Sequence, residues 1–596
     1  MLDNEGNAGD RVPRAASGFS RRSFLQFAGA GLGAAATPGL LAACTTHHSA
    51  TTGAPHGIKG VKPLQLGAET RSVLYPSGYV GPKARSVPRI HDGSKTFRIV
   101  VPQNAEVIGD WNKNAFTKWL EARTGVKVEF DAILTNNPDG SQDLTKVNAM
   151  LASGDLPDAF LAIPFTTNEI SVYGQQGVFI PLDDYIQTYA PQTRAAFADY
   201  PDWRGLTAAS DNKLYQLKTL VDCFHCRISL ARAFVNKKYV EAVGGVIPAT
   251  TDDLRELLKL FKAKDPTPHH NIIPFAGSVF NTIDRYIMGS FLYNPGGDQN
   301  GGWLRLNNGK VEFVANTDEW RQALQFLRQL SDDGTISTEL FTMTDDALLA
   351  AGNQRRIGFA RAYAWGLFID VEYTGEQAWK DYVPVPPLKG PNGVQVAPWE
   401  YYNYNGGSSL IITKKCSNPE ILVQWADAQM ELEATLAGGL GPRSTGDFGW
   451  AKAGQKGMSG KQAIFYQTTY PPPVGKGWNS WSIGYQSNDF RLALAVDTHP
   501  SFEPALYEAS VPYKRLAEPK EWQLPPVLFD SATAAQIADM AVSISSHVTQ
   551  SMAKFATGQT DINNNGAWNS YVDAFKKIGI SNYLSLYQKA YDARPR

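Results

Sequence analysis

The chain has 596 residues, 43% of them hydrophobic and 19% charged, with 56 basic against 57 acidic side chains. That balance offers no footing for nucleic acid or an anionic membrane surface as a partner, and the length provides for several large cores. Four cysteines in so long a chain exclude a disulfide-built scaffold.

Residues 1–43 form an export signal. Ser20-Arg21-Arg22-Ser23-Phe24-Leu25 sets two arginines ahead of a short apolar segment, the start that points to the Tat exporter. Gly29, Gly31, Gly33, Pro38 and Gly39 interrupt that segment, which is too broken for a spanning helix of about 20 mainly apolar residues. Leu41-Ala42-Ala43-Cys44 resembles a bacterial lipobox, which implies cleavage before Cys44 and a diacylglyceryl group on its sulfur. Removing the four arginines and three acids of residues 1–43 leaves 52 basic and 54 acidic residues, a formal charge of −2. The body is expected to be a monomer without cofactor, held by lipid at the extracytoplasmic face of the cell membrane. One acyl chain binds only marginally, so two or more are expected. Residues 44–95 are rich in Ser, Thr, Gly and Pro and form a tether, with a reach of roughly 40 Å as loose coil. Leu74-Tyr75 and Tyr79-Val80 are the places where it would rest on the body.

Order starts at Phe97-Arg98-Ile99-Val100-Val101, a β-branched run suited to a buried strand. Asp110 or Asn112 can cap the next helix, which puts Phe116, Trp119 and Leu120 on one face before Gly125 ends it. Val126, Val128 and Phe130 then alternate with Lys127 and Glu129, the period of a strand. Strand, helix and strand in so short a span make a βαβ unit and a parallel sheet, so the fold class is α/β. Near the end, Ile537, Met540, Ile544, Val548, Met552 and Phe555 recur at helical steps, with Gly558 as the stop. That stripe is a packing face.

Several segments in order carry a family resemblance: Trp119–Val128, Met150–Asp158, Gly177–Asp184, Tyr189-Ala190-Pro191, Asn212–Tyr215, Phe261–Pro266, Asn418-Pro419-Glu420, and at the end Phe555–Gly558, Trp568, Tyr571 and Tyr587–Asp592. Together they resemble family 1 extracellular solute-binding proteins, in the long oligosaccharide-type lipoprotein branch. The resemblance covers roughly 97–592. It implies a two-lobed periplasmic-binding-protein-like fold with hinge crossings, a helical C-terminal extension, and a receptor that feeds a sugar to the permease subunits of an ABC importer. Crossings are expected at Ile228–Asn236, about Asn353–Ala360, and Asn405–Leu410. Lobe 1 would comprise 96–231 with 355–407, and lobe 2 232–354 with 408–596.

No catalytic motif is present: no phosphate loop, His-Glu-x-x-His or Gly-x-Ser-x-Gly. Relatives often hold calcium after Lys-Asp-Pro, but here Lys264–Pro274 is short and lacks the acidic end, so no metal is assigned. Cys223-Phe224-His225-Cys226 is framed as extended chain, where residues three apart face opposite sides. Ordinary thiols are the expectation, with a local disulfide or a metal as alternatives.

The ligand signal is aromatic. Phe, Tyr and Trp make up 11% of the chain, and several lie in polar, loop-like contexts. A ring covers the C–H face of a sugar while Asn, Glu and Arg bond its hydroxyls. Four stretches fit: Trp111 with Asn112, Arg361 with Tyr363 and Trp365, Trp399 with Glu400, Tyr402 and Tyr404, and Trp478 with Trp481 and Tyr485. Asn281 and Arg285 are added as polar partners. Each ring has core packing as its competing role. The function expected is reversible capture of an oligosaccharide without bond breaking. A lipid-anchored glycan hydrolase or lyase, or a receptor for a non-sugar solute such as a peptide, are the alternatives.

Overall fold

The computed structural model describes residues 57–136, 142–228, 231–296, 302–372, 375–469, 472–497 and 502–594. The export signal, Cys44 and the start of the tether lie outside the described residues. Strand β1 (Thr96–Pro102) leads through α1 (Ala115–Thr124) to β2 (Lys127–Ile133), paired in parallel from Thr96↔Lys127 to Pro102↔Ile133. This is the expected βαβ unit. The helix, however, is capped by Asn114 rather than Asp110 or Asn112. Its carboxamide accepts from Phe116 N at 3.0 Å and donates to the carbonyls of Ile108 and Gly477. Asp110 instead closes its own turn on Asn112 N, and Gly125 ends α1 in the left-handed region at φ 73°.

The chain then lays down β3 (Ala159–Leu161), α2 (Asp183–Tyr189) and β4 (Leu217–Val221) before it crosses to a second body. There follow β5 (Ala233–Asn236), α3 (Thr251–Lys264), β6 (Ile273–Ala276), α4 (Asp318–Asp332), β7 (Ile357–Arg361) and β8 (Tyr382–Val385). A second crossing, 386–404, returns to β9 (Asn405–Ile412), α5 (Leu432–Leu440) and β10 (Tyr485–Gln486). After β10 the chain crosses again to α6 (Glu503–Arg515), and α7 (Ser531–Thr557), α8 (Asn565–Ile578) and α9 (Ile580–Ala593) complete it. The first sheet has the order β10-β4-β9-β3-β1-β2 and the second β8-β5-β7-β6.

That order corrects the expected division into lobes. Residues 357–361 pair with β5 (Ala233↔Arg361) and β6 (Ile273↔Ile357), so 355–407 supplies strands to the second sheet. Conversely β9 pairs with β3 and β4 in the first sheet, which brings α5 and β10 there. Of the expected crossings, 228–236 overlaps the first, 353–360 leads into a strand within the second lobe, and 405–410 is β9 itself. An all-buried apolar run suits the middle of either sheet, and only the partner strand decides which.

In the first lobe Phe97, Ile99, Leu161, Leu410, Trp425 and Trp478 share one core. In the second, Leu258, Phe261, Trp320, Leu327 and Phe359 share another with the C-terminal helices. The expected stripe on α7 enters it: Ile537, Ile544, Val548, Met552 and Phe555 are buried and Met540 half-buried. Each such side chain contributes about 1.5–3 kcal/mol.

The expected tether is shorter than 44–95. From Gly57 onward the chain lies on the first lobe: Ile58 N donates to Thr188 Oγ1 at 2.7 Å, Val80 N to Asp489 Oδ2 at 2.9 Å, and Val73 and Ala84 are buried. These apolar residues are too sparse to show a period, yet both join the first lobe's core. Glu431 fastens the strap. Its side chain, 1% exposed, accepts from Arg85 N at 2.9 Å, caps α5 through Ala434 N at 3.1 Å, and pairs with Arg123 at 2.8 Å. Burial raises its pKa against the pull of Arg123. Glu431→Ala removes the acceptor of Arg85 N and the cap of α5 and leaves Arg123 with only Glu433 at 3.4 Å, and we expect a loss of about 1–3 kcal/mol in urea unfolding together with faster proteolysis of residues 57–86.

Candidate functional site

Open α/β sheets bind ligands beyond the carboxyl ends of their parallel strands. In the second lobe these ends belong to β6 and β7, paired Ala276↔Ala360. Arg361, wholly buried at the end of β7, donates to Asn281 Oδ1 at 3.2 Å, and Tyr363 N donates to the same oxygen at 3.2 Å. Asn281 in turn donates to Asp345 Oδ1 at 3.1 Å. One carboxamide thus locks the loop after β6 to the loop after β7. Above it the half-buried Phe280 ring lies parallel to Tyr363, centroids 5.0 Å apart and planes at 11°. The Arg361 guanidinium sits 5.2 Å from the Tyr363 centroid, and Val279 beside the stack is 56% exposed.

The crossings meet behind this platform. In the first, Arg227 pairs with Asp222 at 2.7 Å and donates to the carbonyls of Glu400 and Tyr401 on the second. Arg232 donates to the carbonyls of His225 and Tyr363 and, at 2.9 Å, to Ser510 Oγ on α6. Glu503 Oε2 lies 2.6 Å from His225 Nε2 and 2.9 Å from Arg491. Burial pushes the Glu503 carboxyl up, but His225 and Arg491 outweigh it and hold it well below its usual range. Glu518 is the opposite case. It accepts from Trp399 N at 2.7 Å, and burial pushes its carboxyl up to about 8. Cys223 and Cys226 form a disulfide across the turn Phe224–Cys226, a correction to the expectation of free thiols. The turn brings together two side chains that extended backbone would hold apart.

A model of the bacterial extracellular solute-binding protein family matches residues 104–430. The chain belongs to that family. It is 24% identical over 535 residues to the fructooligosaccharide ABC transporter substrate-binding protein FusA of Streptococcus pneumoniae serotype 4, covering 84% of this chain and 90% of FusA. It is 27% identical over 333 residues to lipoprotein LipO of Bacillus subtilis strain 168, covering 52% of this chain and 59% of LipO. Among solved structures, S. pneumoniae FusA in complex with kestose matches with a TM-score of 0.63 at 22% identity, over 84% of this chain and 99% of that one. An HMO-binding solute-binding protein from Bifidobacterium longum infantis matches at 0.67 and 19% identity, again over 84% and 99%. These overlaps establish the two-lobed solute-binding fold, and FusA and the B. longum protein are named as substrate- or solute-binding components of ABC transporters.

In this solute-binding protein several rings expected to face ligand complete a core instead. Trp111 is 2% exposed, donates Nε1–H to Pro102 O at 3.0 Å, and lies 5.2 Å from both Phe130 and Trp478. Trp478 is fully buried and donates to Thr117 Oγ1 at 3.0 Å. Asn112 exchanges both amide bonds with the backbone of Phe130 at 2.9 Å. Trp365 donates to Tyr382 O at 2.8 Å between Phe234 and Trp379, and Tyr485 donates to Asp199 Oδ2 at 2.6 Å. Their polar tips already have partners and their faces are covered, so none is a platform. Trp399 packs edge-on to Phe224 at 5.0 Å under Lys514, and Glu400 is buried beside it, so both build the crossings.

Other positions keep partial exposure. Tyr402 lies beneath Lys520 and Tyr404 beneath Arg227, each cation 5.1 Å from the ring centroid. Trp481 is half-buried at the edge of the first lobe's core, and Arg285 is half-buried just beyond the platform loop. Sequence reasoning passed over Phe280, Arg227, Arg232 and Glu518. An aromatic just past the carboxyl end of Ile273–Ala276 was the available signal for Phe280.

Two outcomes follow from the geometry. Trp478→Ala opens a cavity in the first lobe and should cost about 3–5 kcal/mol in chemical denaturation, the mark of a core residue. Glu518 holds its proton in the folded chain up to about 8, whereas the unfolded carboxyl loses it near 4–5. Its contribution is therefore full below that range and is lost as pH rises towards 8. The Tm should fall across this window, and Glu518→Gln should flatten that part of the profile.

Proposed function

We propose that this chain is the lipid-anchored receptor of an ABC importer, capturing an oligosaccharide between its lobes and releasing it unchanged to a membrane permease. The Phe280 ring carries the reading: a half-buried apolar face, backed by the buried Tyr363 that Asn281 and Arg361 hold in place, at the strand ends where such folds take ligand. Fructooligosaccharide and kestose in the names of its relatives support a glycan as cargo. Trp481, Tyr402, Tyr404 and Arg285 are the further contacts we assign, on the opposing lobe, the second crossing and the platform loop. Lipid at Cys44 would hold the first lobe. The 13 peptide steps from Cys44 to the docked Gly57 span at most about 45 Å, which would keep the first lobe within that distance of the membrane.

Calorimetry with a panel of fructo-, gluco- and galacto-oligosaccharides tests this directly. At least one should bind saturably, raise the Tm, and be recovered intact by mass spectrometry. Phe280→Ala should weaken binding by roughly 10–100-fold, on the order of 1.5–3 kcal/mol of lost ring contact, at nearly unchanged Tm without ligand. A panel that leaves the Tm flat would count against a sugar. Released cleavage product would replace the receptor with a glycan-active enzyme.

A further inference from the structure

The turn in the first crossing holds a cluster that ligand capture does not employ. The sulfurs of Cys223 and Cys226 and a ring nitrogen of His225 all lie within 4.8 Å of one another, and the two Cα atoms are 5.2 Å apart. His225 is 2% exposed. Its Nε2 is 2.6 Å from Glu503 Oε2, while Nδ1 is buried with no hydrogen-bond partner. A carboxylate only accepts, so Nε2 carries the proton and Nδ1 presents a lone pair where water does not reach. Such an unmatched acceptor has given up its hydration with no hydrogen bond in return. A disulfide by itself gives no reason for it.

The chemistry of the donors supplies one. Two cysteines separated by two residues recur as zinc ligands, and a metal-bound histidine characteristically donates its other N–H to a carboxylate. We propose that, once reduced, this turn binds a soft d10 cation such as Zn2+ or Cu+ through Cys223 Sγ, Cys226 Sγ and His225 Nδ1, with Glu503 as the orienting outer partner. Reduction needs an external dithiol, which passes two electrons and two protons to the S–S bond and leaves as its own disulfide. The cation then displaces the two thiol protons. Thiolate softness selects these ions over Mg2+ or Ca2+. The site is independent of what the cleft binds.

The mature chain with Cys44→Ser, reduced anaerobically with a dithiol and gel-filtered, is titrated with Co2+ as a spectroscopic probe and then with Zn2+. One equivalent of Co2+ should give a thiolate-to-metal charge-transfer band that Zn2+ abolishes. Oxidised protein and the Cys223→Ser/Cys226→Ser variant should give none. Glu503→Gln should weaken binding about 10–100-fold. Should the double variant fail to fold, reduced wild-type protein alkylated with iodoacetamide serves as the same control. No band in the reduced chain, or equal uptake by the thiol-blocked protein, overturns the proposal.

Discussion

A guanidinium withdrawn from water must find acceptors or lose several kcal/mol, and Arg232, 1% exposed, finds them in three separate segments. Its partners are the carbonyl of His225 in the first crossing, the carbonyl of Tyr363 beyond β7, and Ser510 on α6. Burial lowers its pKa only to about 10, so the charge persists at neutral pH and so does the demand. The crossings, the third return of the chain and the aromatic platform are therefore set by one side chain. Arg227 repeats the device one step away, joining Asp222 to the backbone of 400–401.

This arrangement bears on how the lobes can move. A hinge that unravelled would strand two buried cations, whereas rotation of each lobe as a body keeps their acceptors. Ligand favours closure only by its differential affinity for the closed state. In the proposed receptor Phe280 lies on one lobe, so a contact from the other, for which Trp481 is the assigned residue, is needed for ligand to favour closure. The carbonyl bond from Arg232 to Tyr363 makes the platform part of the hinge rather than an ornament on it.

Local pattern carried much of the architecture. The β-branched run at 97–101, the alternation at 126–130, the left-handed stop at Gly125 and the stripe along 537–555 all stand in the structure as their spacing implied. The ring-rich stretches were sorted poorly between core and open face. Trp111, Trp365 and Trp478 have indole N–H groups matched to core acceptors, while the unremarked Phe280 lies on the platform. Composition cannot separate these cases, because a core and a sugar-binding face both favour large flat rings. The cysteine pair failed for a different reason: a single tight turn at 224–226 reversed the geometry that its extended flanks implied.

Family membership and the identity of individual helices and strands were determined by the order of residues alone, since each depends on neighbours a few positions apart. Which sheet received residues 357–361, which rings remained open, and which charges met at the hinge were decided only in three dimensions. Trp478 finds Thr117 at a separation of 361 positions, and Glu503 finds His225 at 278. Such pairings arise from burial, which places residues by the shape of the whole body and leaves no periodic trace along the chain.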